Sequence, residues 1–371
     1  MKKGINLKKE IHCTLGPSSL NSSIIRRFSE LKIDLFRLNL SHTPIERLEE
    51  YVDLIRSCSD VPICFDSQGA QVRTGNLAAN EIQAETGEVI NLVRYPLLSD
   101  KNQISLYPKD VFSQIQVGDL ISVDFNSALI QVIEISPIVK ARVISDGVIG
   151  ENKAVSVIDH PPLLLCMTGV DLAVFELVKK LGIKNVALSF TNKRADIEDL
   201  RNIVGQQVRI IAKIESRAGV ENLVDILSVA NAILIDRGDL AREFPLETIP
   251  YMQKEIIRKA NKRKIPVYVA TNLLETMINN STPTRAEVND VINTLTDGAD
   301  GLVLAAETAI GKHPVASVNM IKTLIYQFEN QKGFSSQTHI DPHSNLVDPH
   351  GGKLIQNIIP DDMVDDIVAI W

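Results

Sequence analysis

Eight short apolar runs, rich in β-branched residues, recur along the chain, each followed by a different texture. They are EIHCTLG from Glu10, IDLFRLNL from Ile33, PICFD from Pro62, NVALSF from Asn185, VRIIAKIE from Val208, AILI from Ala232, PVYVAT from Pro266 and GLVLAAE from Gly301. The intervening segments SSIIRRFSEL, PIERLEEYVDLIRS, DLAVFELVKKLG, ADIEDLRNIVG, VENLVDILSVA, IPYMQKEIIRKANKRK, RAEVNDVINTLTDG and VASVNMIKTLIYQFE carry the apolar spacing of amphipathic helices. Thr284 and Glu287 have the spacing of a capping box, in which each side chain satisfies a free amide of the first helical turn. Strand-then-helix repeated in this way predicts an α/β fold, a (β/α)8 TIM barrel, in preference to a doubly wound open sheet.

The third run is followed by no helix. Residues 74–157 instead contain ETGEVINLVRY, QISLYP, DLISVDFN, ALIQVIEI and KARVISDGVIG, alternating at period two with Gly, Asp and Asn between them. They predict a small all-β domain inserted after strand 3, placed to close over the barrel mouth as a lid. The barrel is thereby split into residues 1–73 and 158–330. Residues 331–371, rich in Ser, His, Pro and Gly, read as a linker or tail.

At 371 residues and 44% hydrophobic content, the chain can bury one large core and a smaller one. Its formal charge of -7 is spread over interspersed acids and bases, which gives no surface for nucleic acid. Cys13, Cys58, Cys64 and Cys166 are too scattered for a zinc site or a disulfide framework, so a reducing cytoplasm is expected. No run approaches the ~18–20 apolar residues of a membrane span, and no membrane partner is expected.

Side chains alternate faces along a strand, so Lys213 and Glu215 in VRIIAKIE project together. They stand at the C-terminal end of their strand, where barrel proteins place their active sites. A lysine and a carboxylate there suit charge stabilisation and metal binding; the alternative is a buried ion pair that only fills the barrel. Asp239, in DRGDLAREFP after the next strand, offers a second oxygen ligand in a Gly-flanked loop, and two carboxylates with open positions suit magnesium or manganese. In FRLNLSH, Arg37, Asn39 and Ser41 share one face; arginine can grip phosphate, while Asn, Ser and the following Asp66 offer hard oxygens to a cation. The alternative is a polar strand end facing solvent. Thr271 and Glu307 close two further strands; the first can position a proton or cap a helix, the second can act in catalysis or in support.

Taken in order, CTLGPSS, FRLNLSH, FDSQGAQVRTG, IIAKIESRAGVENL, DRGDLAREFP, VATNLLETMINNSTPTRAEVNDV and DGADGLVLAAETAIGKHP resemble the pyruvate kinase family, from about Lys9 to Glu329. The resemblance implies phosphoryl transfer from phosphoenolpyruvate to ADP, giving pyruvate and ATP, in a homo-oligomer. Carried over, Arg37 contacts the transferring phosphate, and Lys213 stabilises its charge and that of the enolate oxygen. Glu215 and Asp239 hold Mg2+ or Mn2+, the Gly238 and Asp239 amides receive the carboxylate, and Thr271 assists protonation. Asn39, Ser41, Asp66 and the Ser67 carbonyl form a monovalent cation site for K+, with Arg73 and His42 near the nucleotide phosphates. A pyruvate-handling barrel lyase with the same metal acids, and a catalytically impaired regulatory module, are the alternatives.

The departures are specific. Gln71 stands where a Glu goes with potassium use and a Lys with independence, which leaves K+ dependence open. Asp236 replaces a usual alanine just before the substrate loop, where an added carboxylate should repel a phosphorylated acid unless a cation intervenes. Asn272 replaces a glutamine and Ala241 a glycine. The likeness stops after the eighth helix, so effector control through the family's C-terminal domain is not expected. In its place DPHGGKLIQNIIP resembles the segment that opens ATP sulfurylase, implying a sulfurylase-like partner or fusion; a chance match in a tail is the alternative.

Overall fold

The computed structural model describes residues 8–79, 81–124, 127–158 and 161–330. The sulfurylase-like segment lies outside them. Eight parallel strands close into a barrel: β1 (Glu10–Leu15), β2 (Leu35–Asn39), β3 (Ile63–Asp66), β4 (Asn185–Leu188), β5 (Arg209–Ile214), β6 (Ala232–Asp236), β7 (Val267–Ala270) and β8 (Gly301–Leu304). Pairing runs in chain order around the ring, and β1 closes it against β8 with Glu10 opposite Gly301.

Strand parity divides the core into two layers. On β2, Phe36 and Leu38 pack outward among the helices, whereas Leu35 faces the barrel interior beside Cys64, Ala187, Ile211, Leu234 and Tyr268. On β5, Ile210, Ala212 and Ile214 face the helices and Ile211 the interior. Arg37 and Lys213 have the parity of Leu35 and Ile211, so each continues the inward-facing row towards the mouth. A strand buried on both faces by apolar residues needs a reason to carry a cation. At both positions that reason is a set of facing carboxylates, described below.

Between β3 and β4 the chain leaves the barrel. A seven-stranded sheet, beginning with Arg73–Thr74 and ending with Val155–Val157, and a two-stranded ladder of Glu81–Ala84 with Gly147–Gly150 form the inserted β domain. It has a core of its own, with Ile90, Leu92, Ile104, Ile130 and Ala141 fully buried on the inward parity of their strands.

The capping box is present: Thr284 Oγ1 accepts from the Glu287 amide at 3.2 Å, and Glu287 accepts from the Thr284 amide at 2.7 Å. Glu287 also takes the Thr276 amide at 2.7 Å, tying the loop after β7 to this helix. Thr284→Ala is expected to cost about 1 kcal/mol, the usual value of an N-cap side chain. The midpoint of urea denaturation checks it, and an unchanged midpoint would show the cap to be idle. Among the described residues no helix is long and apolar enough to cross a membrane, and all four cysteines are free.

Candidate active site

The C-terminal ends of the barrel strands gather a buried charge cluster centred on Asp66. Its carboxylate bridges two cations, with Arg37 Nη1 at 3.2 Å and Lys213 Nζ at 3.2 Å. Arg37 is oriented from behind, since its Nε donates to Thr14 Oγ1 at 2.9 Å and that hydroxyl donates to the Leu304 carbonyl at 2.8 Å. Lys213 reaches Glu215 Oε1 at 2.8 Å and donates to Ser189 Oγ at 3.0 Å. Glu215 is fixed in turn by the Phe190 amide at 2.6 Å. The cluster is almost dry: Asp66 and Glu215 are each 1% exposed and Lys213 6%.

Burial works against the charge on Lys213, but Asp66, Glu215 and Asp236 outweigh it and hold the amine well above the ordinary lysine range. Glu215 is pushed the other way, up to about 8, by burial, with Asp239 and Asp236 adding to it against the pull of Lys213. The two partners thus point to different charge states. Lys213 is shared among several acids and stays charged, whereas Glu215 is one of three carboxylates crowding one spot. Ligand oxygens of Glu215, Asp236 and Asp239 all lie within 4.8 Å of one another. Carboxylates so close cannot all stay ionised without a cation. The donor set is three hard carboxylate oxygens within 4.8 Å of one another, so these residues fit a divalent ion of the magnesium class.

Asp239 is steadied by Gln71 Nε2 at 3.1 Å and by Arg242 Nη1 at 3.0 Å. Gln71 Oε1 accepts from Arg73 Nη2 at 2.7 Å, and Arg73 Nη1 donates to the Asn152 carbonyl at 2.9 Å. Arg73, at the root of the inserted domain, is therefore linked through one side chain to the acidic cluster. A glutamate at position 71 could not donate to Asp239, which gives the neutral glutamine a role here. His42 is half-buried, and burial together with the nearby Arg73 charge lowers its pKa.

Asp236 ends β6 and caps the short helix Arg237–Glu243: its Oδ1 accepts from the Gly238 amide at 3.2 Å and from Thr271 Oγ1 at 2.6 Å. Burial raises its carboxyl, but Lys213, the Thr271 hydroxyl and Arg37 together bring it below its ordinary value. Thr271 and Asn272 have φ of 72° and 56°, two successive non-glycine residues in the left-handed region. That cost is met by Arg237, whose Nε and Nη2 hold the Thr271 carbonyl at 3.0 and 2.6 Å while its Nη1 pairs with Asp290 at 2.6 Å.

Three of the residues considered for a monovalent ion, Asn39, Asp66 and Ser67, have oxygens with internal partners. Asn39, opposite Asp66 in the β2–β3 register, accepts from the Ser41 amide at 3.0 Å, and the Ser67 carbonyl accepts from Ser189 Oγ at 2.7 Å. Asp66 is drawn into the cation pairs instead. Glu307 takes the amides of Leu274 at 3.1 Å and Ala305 at 2.9 Å, a contact that holds the loops after β7 and β8. A cleft of about 200 Å³ lies between the barrel mouth and the inserted domain, lined among others by Gln71, Val157, Phe190, Glu215, Asp239 and Arg242.

Several supporting residues escaped the sequence reading. Ser189, Thr14 and the Phe190 amide orient the charged groups, and Asp171 accepts the Gln68 and Gly69 amides at 2.6 and 3.1 Å to hold the loop after β3. The Thr168-to-Asp171 spacing of a capping box was the available signal for Asp171. Gly69 has φ of 69°, and a Cβ there would meet Phe190 and Ser189 at 2.6 and 2.7 Å, so this loop approaches β4 too closely for any other residue.

Fold and site together define a TIM-barrel protein with an inserted β domain and a buried cluster of acids and bases at the barrel mouth. Comparison with known proteins narrows this. The family model for the pyruvate kinase barrel domain matches residues 6–318, and the chain belongs to the pyruvate kinase family. It is 32% identical over 342 residues to a pyruvate kinase of Mycobacterium tuberculosis, covering 89% of this chain and 72% of that one. It is 32% identical over 335 residues to the pyruvate kinase of Thermotoga maritima, covering 88% and 72%. With the pyruvate kinase of Thermoplasma acidophilum it shares 31% identity over 368 residues, covering 98% and 66%.

Proposed function

We propose that the chain transfers a phosphoryl group from phosphoenolpyruvate to ADP, giving pyruvate and ATP. The observation that carries this reading is a buried, charged Lys213 held between Asp66 and Glu215 at the barrel mouth. Phosphoryl transfer asks little covalent chemistry of a protein; positioned charge supplies most of the rate. Arg37, fixed by Thr14 and Asp66, meets the transferring phosphoryl oxygens. Lys213 stabilises the charge left on the enolate oxygen as the bond from that oxygen to phosphorus breaks. The Thr271 hydroxyl assists delivery of a proton to the enolate carbon, which completes pyruvate. The Gly238 and Asp239 amides, with Thr271, receive the substrate carboxylate.

Glu215 and Asp239 would hold a magnesium or manganese ion, which when bound neutralises charge on the reacting oxygens. Asn39, Ser41, Asp66 and Ser67 supply oxygens to a potassium ion once their internal partners yield. Arg73 and His42, whose ring feels the Arg73 charge, would meet the nucleotide phosphates.

The test is pyruvate release from phosphoenolpyruvate with magnesium and potassium present, measured with and without ADP. Release that requires ADP and is matched by ATP supports phosphoryl transfer. Equal release without ADP would mark a lyase, and no release at all would contradict turnover of this substrate.

A further inference from the structure

We propose that Asp236 is a specificity-determining residue that competes, from within the chain, for the groups assigned above to the substrate carboxylate; the inference rests on that phosphotransferase reading. Thr271 Oγ1 donates to Asp236 Oδ1 at 2.6 Å and the Gly238 amide donates to the same oxygen at 3.2 Å. Both are donors that a bound carboxylate would need. The three residues form one close contact: a Cβ on Gly238 would stand 2.8 Å from Thr271 Cγ2 and 3.5 Å from Asp236 Oδ1. A carboxylate oxygen of Asp236 also lies within 4.8 Å of those of Glu215 and Asp239, the acids assigned to the divalent ion. One side chain therefore supplies both features of a bound substrate carboxylate, an acceptor for Thr271 and Gly238 and a negative charge at the ion's edge.

An incoming carboxylate must displace Asp236 and then sit beside it in a site where 9% exposure leaves little water to screen like charges. Among the described residues, the cations that act on Asp236 and its neighbours are already engaged. Arg237 turns to the Thr271 carbonyl and Asp290, and Lys213 already serves Asp66 and Glu215. The site consequently holds carboxylate-bearing phosphoryl donors more weakly than it would without Asp236.

The test is calorimetric binding of oxalate to the full chain in the presence of Mg2+, with Mg2+ alone titrated in parallel. Asp236→Ala, which frees both donors and removes the charge, should tighten oxalate at least ~10-fold. Asp236→Asn keeps an oxygen for the Gly238 cap and for Thr271 while removing the charge, so it preserves the local fold and should fall between the two. In steady state, Asp236→Ala should lower KM for phosphoenolpyruvate and leave KM for ADP unchanged. Oxalate that binds wild type with Mg2+ dependence, but no more tightly to either variant, would overturn this inference and leave the phosphotransferase reading standing. Failure of oxalate to bind wild type and both variants alike would overturn both.

Discussion

Lys213→Met is expected to lower turnover by about 10²- to 10³-fold, the loss that follows removal of one preorganised charge-stabilising donor from an active site. Methionine keeps the apolar stem and the volume, so the barrel interior around Ile211 and Leu234 stays filled. What goes is a cation that three carboxylates hold charged. Glu215, already pushed up by burial, can take a proton once its partner is lost, which spares the fold an uncompensated charge. The variant should therefore fold, retain divalent-ion affinity through Asp239 and through Glu215, which gives up that proton when the ion binds, and fail in chemistry. Initial rates alongside far-UV circular dichroism check this; near-normal turnover in a folded variant would show that the catalytic charge lies elsewhere.

Asp66→Ala is expected to be the most destabilising single change at the mouth, at about 3–5 kcal/mol, because it leaves buried cations without their shared partner. Asp66 is 1% exposed and stands 3.2 Å from both Arg37 and Lys213. Neither cation can reach water from where its strand places it, and Arg37 is further held by Thr14. Asp66→Asn, which keeps a dipole and an acceptor, should lose less. Thermal unfolding of both variants ranks them, and a loss below about 1 kcal/mol for alanine would mean that the cluster relaxes to admit solvent.

The barrel was readable because its signal is repeated: eight apolar runs alternate with helical segments, and the strands they form close into one ring. The parity rule placed Lys213 with Glu215 and Arg37 with Asn39 on common faces, since the period of a strand is fixed by its backbone. Partners across the ring were not readable. That Asp66 from β3 would bridge Arg37 on β2 and Lys213 on β5 depends on strand stagger, which no local pattern encodes. Ser189 and the Phe190 amide were invisible for the same reason, as the serine near the end of NVALSF looks like any polar strand end. Glu307 shows the converse. Its place at a strand end marked it for the mouth, yet its two backbone amide contacts make it a brace between loops.

Asp236 was legible as an oddity of sequence, an acid where small residues are usual, but its consequence lay in geometry. Only the fold reveals that its carboxylate takes the Thr271 hydroxyl and the Gly238 amide. The Gln71 side chain is similar. Its neutrality could be noted from sequence, whereas its donation to Asp239 and acceptance from Arg73 could not.

Anomalous diffraction from crystals grown with Mn2+ and oxalate addresses the convergence of these groups most directly. A single manganese peak coordinated by Glu215 and Asp239, with Lys213 Nζ directed at oxalate, is the expected result. A pocket that takes no manganese, or manganese bound away from those two acids, would contradict it.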